Sequence, residues 1–175
     1  RQAPADRRLY PAAGAAREEA LALEESFDTR LGVDTRRWAY SFILASRELL
    51  LAVADFQVPR WEARALPWVL PVARALMTRG MRIYPPQVER SRAEIHRTFD
   101  AIGERLADGR RYLVGDCLSA ADITFASLAA PALFPAEYYA PMPALERLPP
   151  AIQAEIEGLR AHPAGRFALR LYAEE

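Results

Sequence analysis

The stretch GDCLSAADITFA, residues 115–126, marks the start of a helix firmly. Ser119 and Asp122 stand three residues apart, the spacing of a capping box, in which each side chain accepts a hydrogen bond from the other residue's amide. The residues that follow, Ile123 to Ala136, carry no charge. Because a helix with so little polar surface is expected to be buried on all sides, its first amide groups need partners inside the protein. We therefore expect a structural capping role for Ser119 and Asp122.

Composition limits the class of protein. A chain of 175 residues with 51% hydrophobic content can bury the core of one domain. Its 23 basic residues, all arginine, balance 23 acids. The chain therefore has no excess of basic residues that would indicate binding to nucleic acid. The uncharged run contains Pro131 and Pro135 and is too short to cross a bilayer, so no membrane partner is expected. A single cysteine, Cys117, favours a reducing compartment, the cytoplasm.

Apolar spacing predicts helices in the first third of the chain. The intervals of three and four between Ala20 and Leu31 predict a first helix, and Gly32 is expected to end it as a left-handed C-cap. Asp34 or Thr35 is then expected to cap a second helix that is apolar over much of its circumference. Two closely packed helices are therefore predicted.

The rest of the chain divides at a proline-rich segment. Residues 58–86 contain five prolines, so only short helices are expected there. An amphipathic helix is predicted over 88–106 and ends at Gly109, and apolar stripes over 148–159 and 167–171 predict two more helices. Since no segment alternates like a strand, we expect an all-α, single helical bundle.

Three motifs carry a resemblance to a known family. YLVGDCLSAADITFASL, residues 112–128, resembles the motif that opens the central buried helix in the C-terminal domain of glutathione transferases. HPAGRFALRLY, residues 162–172, is similar to the family's last helix, and LYP from Leu9 is similar to the linker after its thioredoxin-like domain. The resemblance implies a helical domain over residues 15–175. It also implies that residues 1–14 are a linker from an upstream thioredoxin-like domain that is absent from this chain.

The resemblance also implies a function. A bacterial glutathione transferase of this kind conjugates or reduces small hydrophobic electrophiles, with glutathione as co-substrate bound mainly by the thioredoxin-like domain. This chain would then supply the substrate-side wall and pair as a homodimer through its first long helices. The isolated domain is not expected to be active, and we assign it no catalytic residue and no metal.

Three residues are candidates for substrate binding. Arg37 and Tyr40 lie on the predicted second helix, where an arginine could pair with a glutathione carboxylate and a phenol could hydrogen-bond to the thiol or the electrophile. The alternative is a solvated arginine beside a core aromatic. Tyr84 belongs to an aromatic and methionine cluster that could line a substrate pocket or form a satellite core; its other members are Trp61, Trp68, Met77 and Met81.

Other reactive side chains give weaker indications. Cys117 precedes a helix start, but we expect it to act as a small hydrophobe and not as a nucleophile. His96 and His162 are placed in neither a metal site nor a triad. Two rival functions stay open. A noncatalytic protein-interaction module would expose a large apolar patch, whereas a ligand carrier would enclose a cavity lined by the tryptophan and methionine cluster.

Overall fold

The computed structural model describes residues 9–54, 66–139 and 142–174, and in these ranges the side chains of residues 52, 54 and 66–69 are left undescribed. Every regular element in the described ranges is helical, as predicted. The α-helices are α1 (Ala15–Ser26), α2 (Gly32–Ile43), α3 (Arg47–Ala54), α4 (Leu66–Gly80), α5 (Pro85–Arg105), α6 (Ala120–Leu133), α7 (Pro150–Ala161) and α8 (Pro163–Glu174). Residues 1–8 of the expected linker lie outside the description.

The predicted break at Gly32 is wrong. A π-helical turn, Phe27–Leu31, joins α1 to α2, and Gly32 has right-handed helical angles with φ −64°. A Cβ atom on Gly32 would lie 2.9 Å from Cδ2 of Leu128 on α6. The glycine therefore permits a close approach of two helices and does not end one.

Asp34 and Thr35, expected as helix caps, lie inside α2 instead. The Thr35 hydroxyl is buried and lies 2.7 Å from the carbonyl oxygen of Leu128 and 2.9 Å from that of Leu31. Because the hydroxyl reaches a carbonyl on α6, Thr35 helps to hold α2 against α6. The two helices approach closely at both Gly32 and Thr35.

The prediction of only short helices across the proline-rich segment is wrong for α4. This helix has 15 residues and contains Pro71, which removes a single backbone donor and leaves the rest of the helix intact. Pro85 begins α5, where a missing amide costs nothing. The predicted stop at Gly109 is confirmed, since this residue has φ 83° and ends the short 3₁₀ turn after α5.

Helix α6 is the centre of the bundle and packs against α1, α2, α7 and α8. Its Phe125 is fully buried, with its ring centroid 5.3 Å from that of Phe27, 5.8 Å from Phe99 and 6.2 Å from Phe167. Burial on all sides, however, is wrong, because Ile123 on the same helix is 40% exposed. One narrow stripe of α6 therefore reaches the surface.

The amino-terminal end of α6 has the capping box that the Ser119 and Asp122 spacing predicts. Oδ2 of Asp122 accepts from the Ser119 amide at 2.7 Å and from the Ser119 hydroxyl at 2.6 Å. Oδ1 accepts from the Leu113 amide at 2.7 Å. The amide of Ala120 donates to the carbonyl oxygen of Leu9 at 2.7 Å, so the preceding chain also serves as a cap.

The carboxyl-terminal end of α6 is satisfied by one side chain from α7. Nε of Arg160 donates to the carbonyl oxygen of Leu133 at 2.7 Å, and Nη2 donates to that of Phe134 at 2.5 Å. A guanidinium at this end also compensates the negative pole of the helix dipole. Both ends of the central helix thus have partners inside the protein.

Candidate functional site

A cleft of about 700 Å³ lies between α4 and the start of α3. One face of α4 forms the first wall, because residues at intervals of three and four point the same way: Pro71, Arg74, Ala75 and Thr78. Leu44, Arg47 and Leu50 form the opposite wall. The cleft is thus an apolar groove between two helices, of a size that suits a small molecule.

The charges at this cleft have one sign. Arg47, Arg74 and Arg79 line it, and no acidic residue does so within the described part of the chain. None of these three guanidinium groups has an ion pair or side-chain hydrogen bond to another described residue. The charged side chains that line the cleft are therefore cationic and exposed to solvent, beside an apolar floor.

Tyr84 is the sequence-predicted candidate that lies in the cleft. It precedes α5 with an extended backbone, and its side chain is 44% exposed. The phenol has no hydrogen-bond partner among the residues described. It is therefore able to donate to, or accept from, a molecule in the cleft.

Arg37 lies outside this cleft and is held in a network between α2 and α5. Its Nη1 donates to Oγ of Ser91 at 2.7 Å and lies 3.1 Å from Oδ1 of Asp34, to which the Ser91 hydroxyl also donates. Its Nε donates to the carbonyl oxygen of Met81 at 2.9 Å. These bonds give Arg37 a role in helix packing, while its role as a substrate ligand stays a prediction.

Tyr40 is half-buried against the core, on the side of α2 that faces Tyr138. Burial raises the pKa of Tyr138, and the neighbouring phenols of Tyr139 and Tyr40 add to that rise. Tyr40 does not line the cleft that contains Tyr84. The structure therefore does not bring Arg37, Tyr40 and Tyr84 together in one site.

The aromatic and methionine cluster divides. Met77 and Met81 are half-buried and do not line the cleft. Trp61 and the side chain of Trp68 lie outside the described residues. Trp38, the remaining tryptophan, is buried with its ring edge-on to Phe42 at 5.1 Å, so it belongs to the core.

Sequence reasoning missed the arginines of the cleft. Arg74 stands in a pattern with Pro71, Ala75 and Thr78 that places all four on one helical face. That signal was readable in the sequence, but it depends on accepting a helix through Pro71. Arg47 lies on the opposite wall, and no local spacing connects it with α4.

The other reactive side chains form no further site. Cys117 is exposed in the loop before α6, so the expectation that it packs as a hydrophobe is wrong. His96 pairs with Glu155 at 2.5 Å, and His162 lies 3.3 Å from Asp100. Over the described ranges, no group of three or more His, Cys, Asp or Glu side chains could hold a metal ion. In the same ranges no helix is long and apolar enough to cross a membrane.

Comparison with known proteins gives one match. The family model for the glutathione S-transferase C-terminal domain matches residues 85–162. This range holds α5, α6 and α7 and includes the capping box of α6. No curated protein and no solved structure matches the chain. Every residue that is given as lining the cleft, from Leu44 to Tyr84, precedes the matched range.

Proposed function

Because residues 85–162 match the family model for the glutathione S-transferase C-terminal domain, we propose that this chain is the substrate-side domain of a glutathione transferase-like enzyme. The enzyme conjugates or reduces small hydrophobic electrophiles. The observation that carries the proposal is the cleft of about 700 Å³ between α3 and α4, which is within the size range of small-molecule sites. We further propose that the protein is bacterial and cytoplasmic and forms a homodimer. Sedimentation equilibrium would measure the mass of the assembly.

In this proposal the chain supplies shape, desolvation and one polar contact. Leu44, Leu50 and Pro71 offer the apolar surface against which an electrophile can lie. Tyr84 offers its hydroxyl to a polar atom of that electrophile. Glutathione is the co-substrate, bound mainly by an upstream thioredoxin-like domain, and its thiolate attacks the electrophile. We assign no thiolate-stabilising residue to this chain.

The test is glutathione-dependent conjugation of a neutral aryl halide by the full-length protein. Tyr84→Phe is expected to lower kcat/KM about 10-fold, the effect of losing one hydrogen bond of about 1.4 kcal/mol in the transition state. Tyr139→Phe is the matched control, because Tyr139 is exposed and lies outside the cleft. A folded full-length protein without glutathione-dependent turnover would contradict the proposal, and equal activity of both variants would remove Tyr84 from the site.

A noncatalytic protein-interaction module is the second candidate. It is favoured by Val72 and Leu76, which are 61% and 67% exposed and stand four residues apart on α4. Neither residue lines the cleft, so these side chains form a separate apolar face of the helix. Glutathione-dependent turnover distinguishes the two functions, because the enzyme has it and a noncatalytic interaction module does not.

A further inference from the structure

We propose that helix α4 lies on the surface of a membrane that contains anionic lipids. Val72 and Leu76 enter the boundary between headgroups and acyl chains, and Arg79 and Arg82 lie beside the headgroups. The inference goes beyond the proposed function, since it requires no glutathione chemistry. It is carried by the exposure of α4, by the lack of acidic residues on this helix and by the arginines next to its apolar face.

Helix α4 is apolar but not buried. Over residues 70–80 its polar side chains are Arg74, Thr78 and Arg79, and the other residues are apolar or glycine. None of residues 70–80 is buried, whereas each of the other α-helices in the described ranges has at least one buried residue. An apolar helix that is left uncovered in this way indicates a surface that contacts a partner or a membrane.

The apolar face of α4, formed by Val72 and Leu76, is exposed away from the cleft. These side chains are 61% and 67% exposed, and neither lines the cleft. Arg79 follows Leu76 by three residues, so it stands on the same side of the helix, at the edge of the cleft. Arg82 is exposed in the turn after the helix. A long arginine side chain can keep its charge among headgroups while its apolar neighbours lie deeper.

The charge of this segment has one sign. Residues 63–88 contain four arginines and no acid, although the whole chain has no net charge. Each of the other described α-helices contains at least one aspartate or glutamate, so this segregation distinguishes α4. Anionic lipids attract a basic segment of this kind, and its exposed apolar side chains add to the binding.

A membrane surface fits α4 better than a protein does. A second copy of the chain would bring the same arginines to the contact, and like charges repel one another. The cleft side of α4 faces α3, so one side of the helix is free, as a flat surface requires and an enclosing groove does not. The sequence-based expectation of no membrane partner considered only a spanning segment, which a helix that lies in the surface does not need.

The first experiment measures flotation of the full-length protein with lipid vesicles. One set contains phosphatidylcholine only, and the other contains about 30% phosphatidylglycerol, an anionic lipid. We expect binding to the anionic vesicles to be about 10-fold tighter at about 0.1 M salt, and most of that difference to disappear at about 0.5 M salt. No binding, or equal binding to the two sets of vesicles, overturns the inference.

Variants then locate the binding on α4. Leu76→Gln is expected to weaken binding to the anionic vesicles about 10-fold, and Arg79→Gln and Arg82→Gln about 5-fold each. The matched controls are Leu21→Gln on α1 and Arg147→Gln, which replace exposed residues outside α4 and should bind within about 2-fold of the wild type. Circular dichroism checks that each variant is folded.

The outcomes separate this inference from the proposed function. Anionic vesicle binding that Leu76→Gln weakens and Leu21→Gln preserves supports the inference, even in a protein without glutathione-dependent turnover. Turnover without vesicle binding overturns the inference and leaves the proposed function standing. Vesicle binding that Leu76→Gln leaves unchanged lies elsewhere on the protein and overturns the inference. So does a Leu76→Gln variant that loses self-association in the absence of vesicles, because the apolar face then contacts a second copy.

Discussion

Asp122 makes more hydrogen bonds than a helix cap requires. Its carboxylate is buried and accepts from the amide and hydroxyl of Ser119 and from the amide of Leu113. Asp122→Ala would leave these donors without a partner, so we expect a loss of about 2–5 kcal/mol in the free energy of unfolding, measured in urea. Asp116→Ala, in the exposed loop just before, is the control and should change stability little.

The sequence allowed half of this cap to be predicted. The bonds between Ser119 and Asp122 follow from a spacing of three residues, which is local and readable. The bonds that involve Leu113 and Leu9 were not predicted, because they depend on where more distant chain passes the helix end. A local motif therefore gave the position of the cap but not its full strength.

Gly165 shows the same dependence on neighbours in an extreme form. A Cβ atom at this position of α8 would overlap the carbonyl oxygen of Leu159 on α7. Because a backbone atom cannot move aside as a side chain can, Gly165→Ala is expected to destabilise the protein by about 3 kcal/mol or more. Gly158→Ala is the control, because Gly158 lies inside α7 and no atom lies within 4 Å of the position its Cβ would take. We expect this substitution to raise the free energy of unfolding by about 0.5–1 kcal/mol. Thermal unfolding of both variants measures the difference. Equal melting temperatures would contradict the close contact between Gly165 and the backbone of Leu159.

At the scale of elements, Glu155 connects α7 to α5. Its carboxylate accepts from Arg92 at 2.9 and 3.0 Å and from His96 at 2.5 Å. Burial alone would raise the pKa of Glu155, but the hydrogen bonds from Arg92 and His96 outweigh it and hold that pKa below its usual value. The bridge is therefore strongest with the carboxylate ionised.

Glu155→Gln tests that connection through its pH dependence. A carboxyl group with a lowered pKa in the folded state stabilises the fold above its unfolded pKa, and this stability is lost as the pH falls. We expect Glu155→Gln to cost about 1 kcal/mol at pH 7, a deficit that shrinks once the pH falls below the unfolded pKa of about 4.3 and disappears below the lower folded pKa. Glu157→Gln, an exposed neighbour on α7, should match the wild type throughout. A deficit that persists in acid would mean that packing, not charge, explains the loss.

Helix α4 marks the limit of element prediction. The rule that proline breaks a helix is sound for an isolated segment, yet Pro71 removes one donor from a helix of 15 residues. The amphipathic stripe of α5, in contrast, was predicted correctly because its core face repeats over many turns. Long periodic segments were therefore predictable, and the element that carries the cleft was not.

At the scale of the molecule, stability is expected to be uneven. Helix α6 packs on four other helices, whereas α4 makes few contacts with the described bundle. We expect amide hydrogens of α4 to exchange through openings of lower free energy than those of α6. Hydrogen exchange with mass spectrometry measures the difference. Equal exchange of the two helices would contradict this expectation.

The all-α bundle was predictable as a whole, because the apolar stripe of each helix must be buried against another element. A helical bundle buries all of these stripes. The cleft was not, because it arises where α4 lies opposite α3, a relation that no spacing along the chain encodes. Arg47 and Arg74 are 27 positions apart in the sequence and share one groove. Sites of this kind become visible only in three dimensions.

The π-helical turn Phe27–Leu31 has a consequence for how the chain tolerates insertions and deletions. Such a turn holds one residue more than an α-helical turn, and the surplus keeps Phe27, Leu31 and Thr35 buried at intervals of four. Removing one residue here can be absorbed by a return to α-helical geometry. Removing one near Trp38 would rotate every later side chain of α2 by about 100°, at 3.6 residues per turn. We expect length variation in this long helical rod to be confined to its π-helical turn, and an alignment gap there to preserve the core.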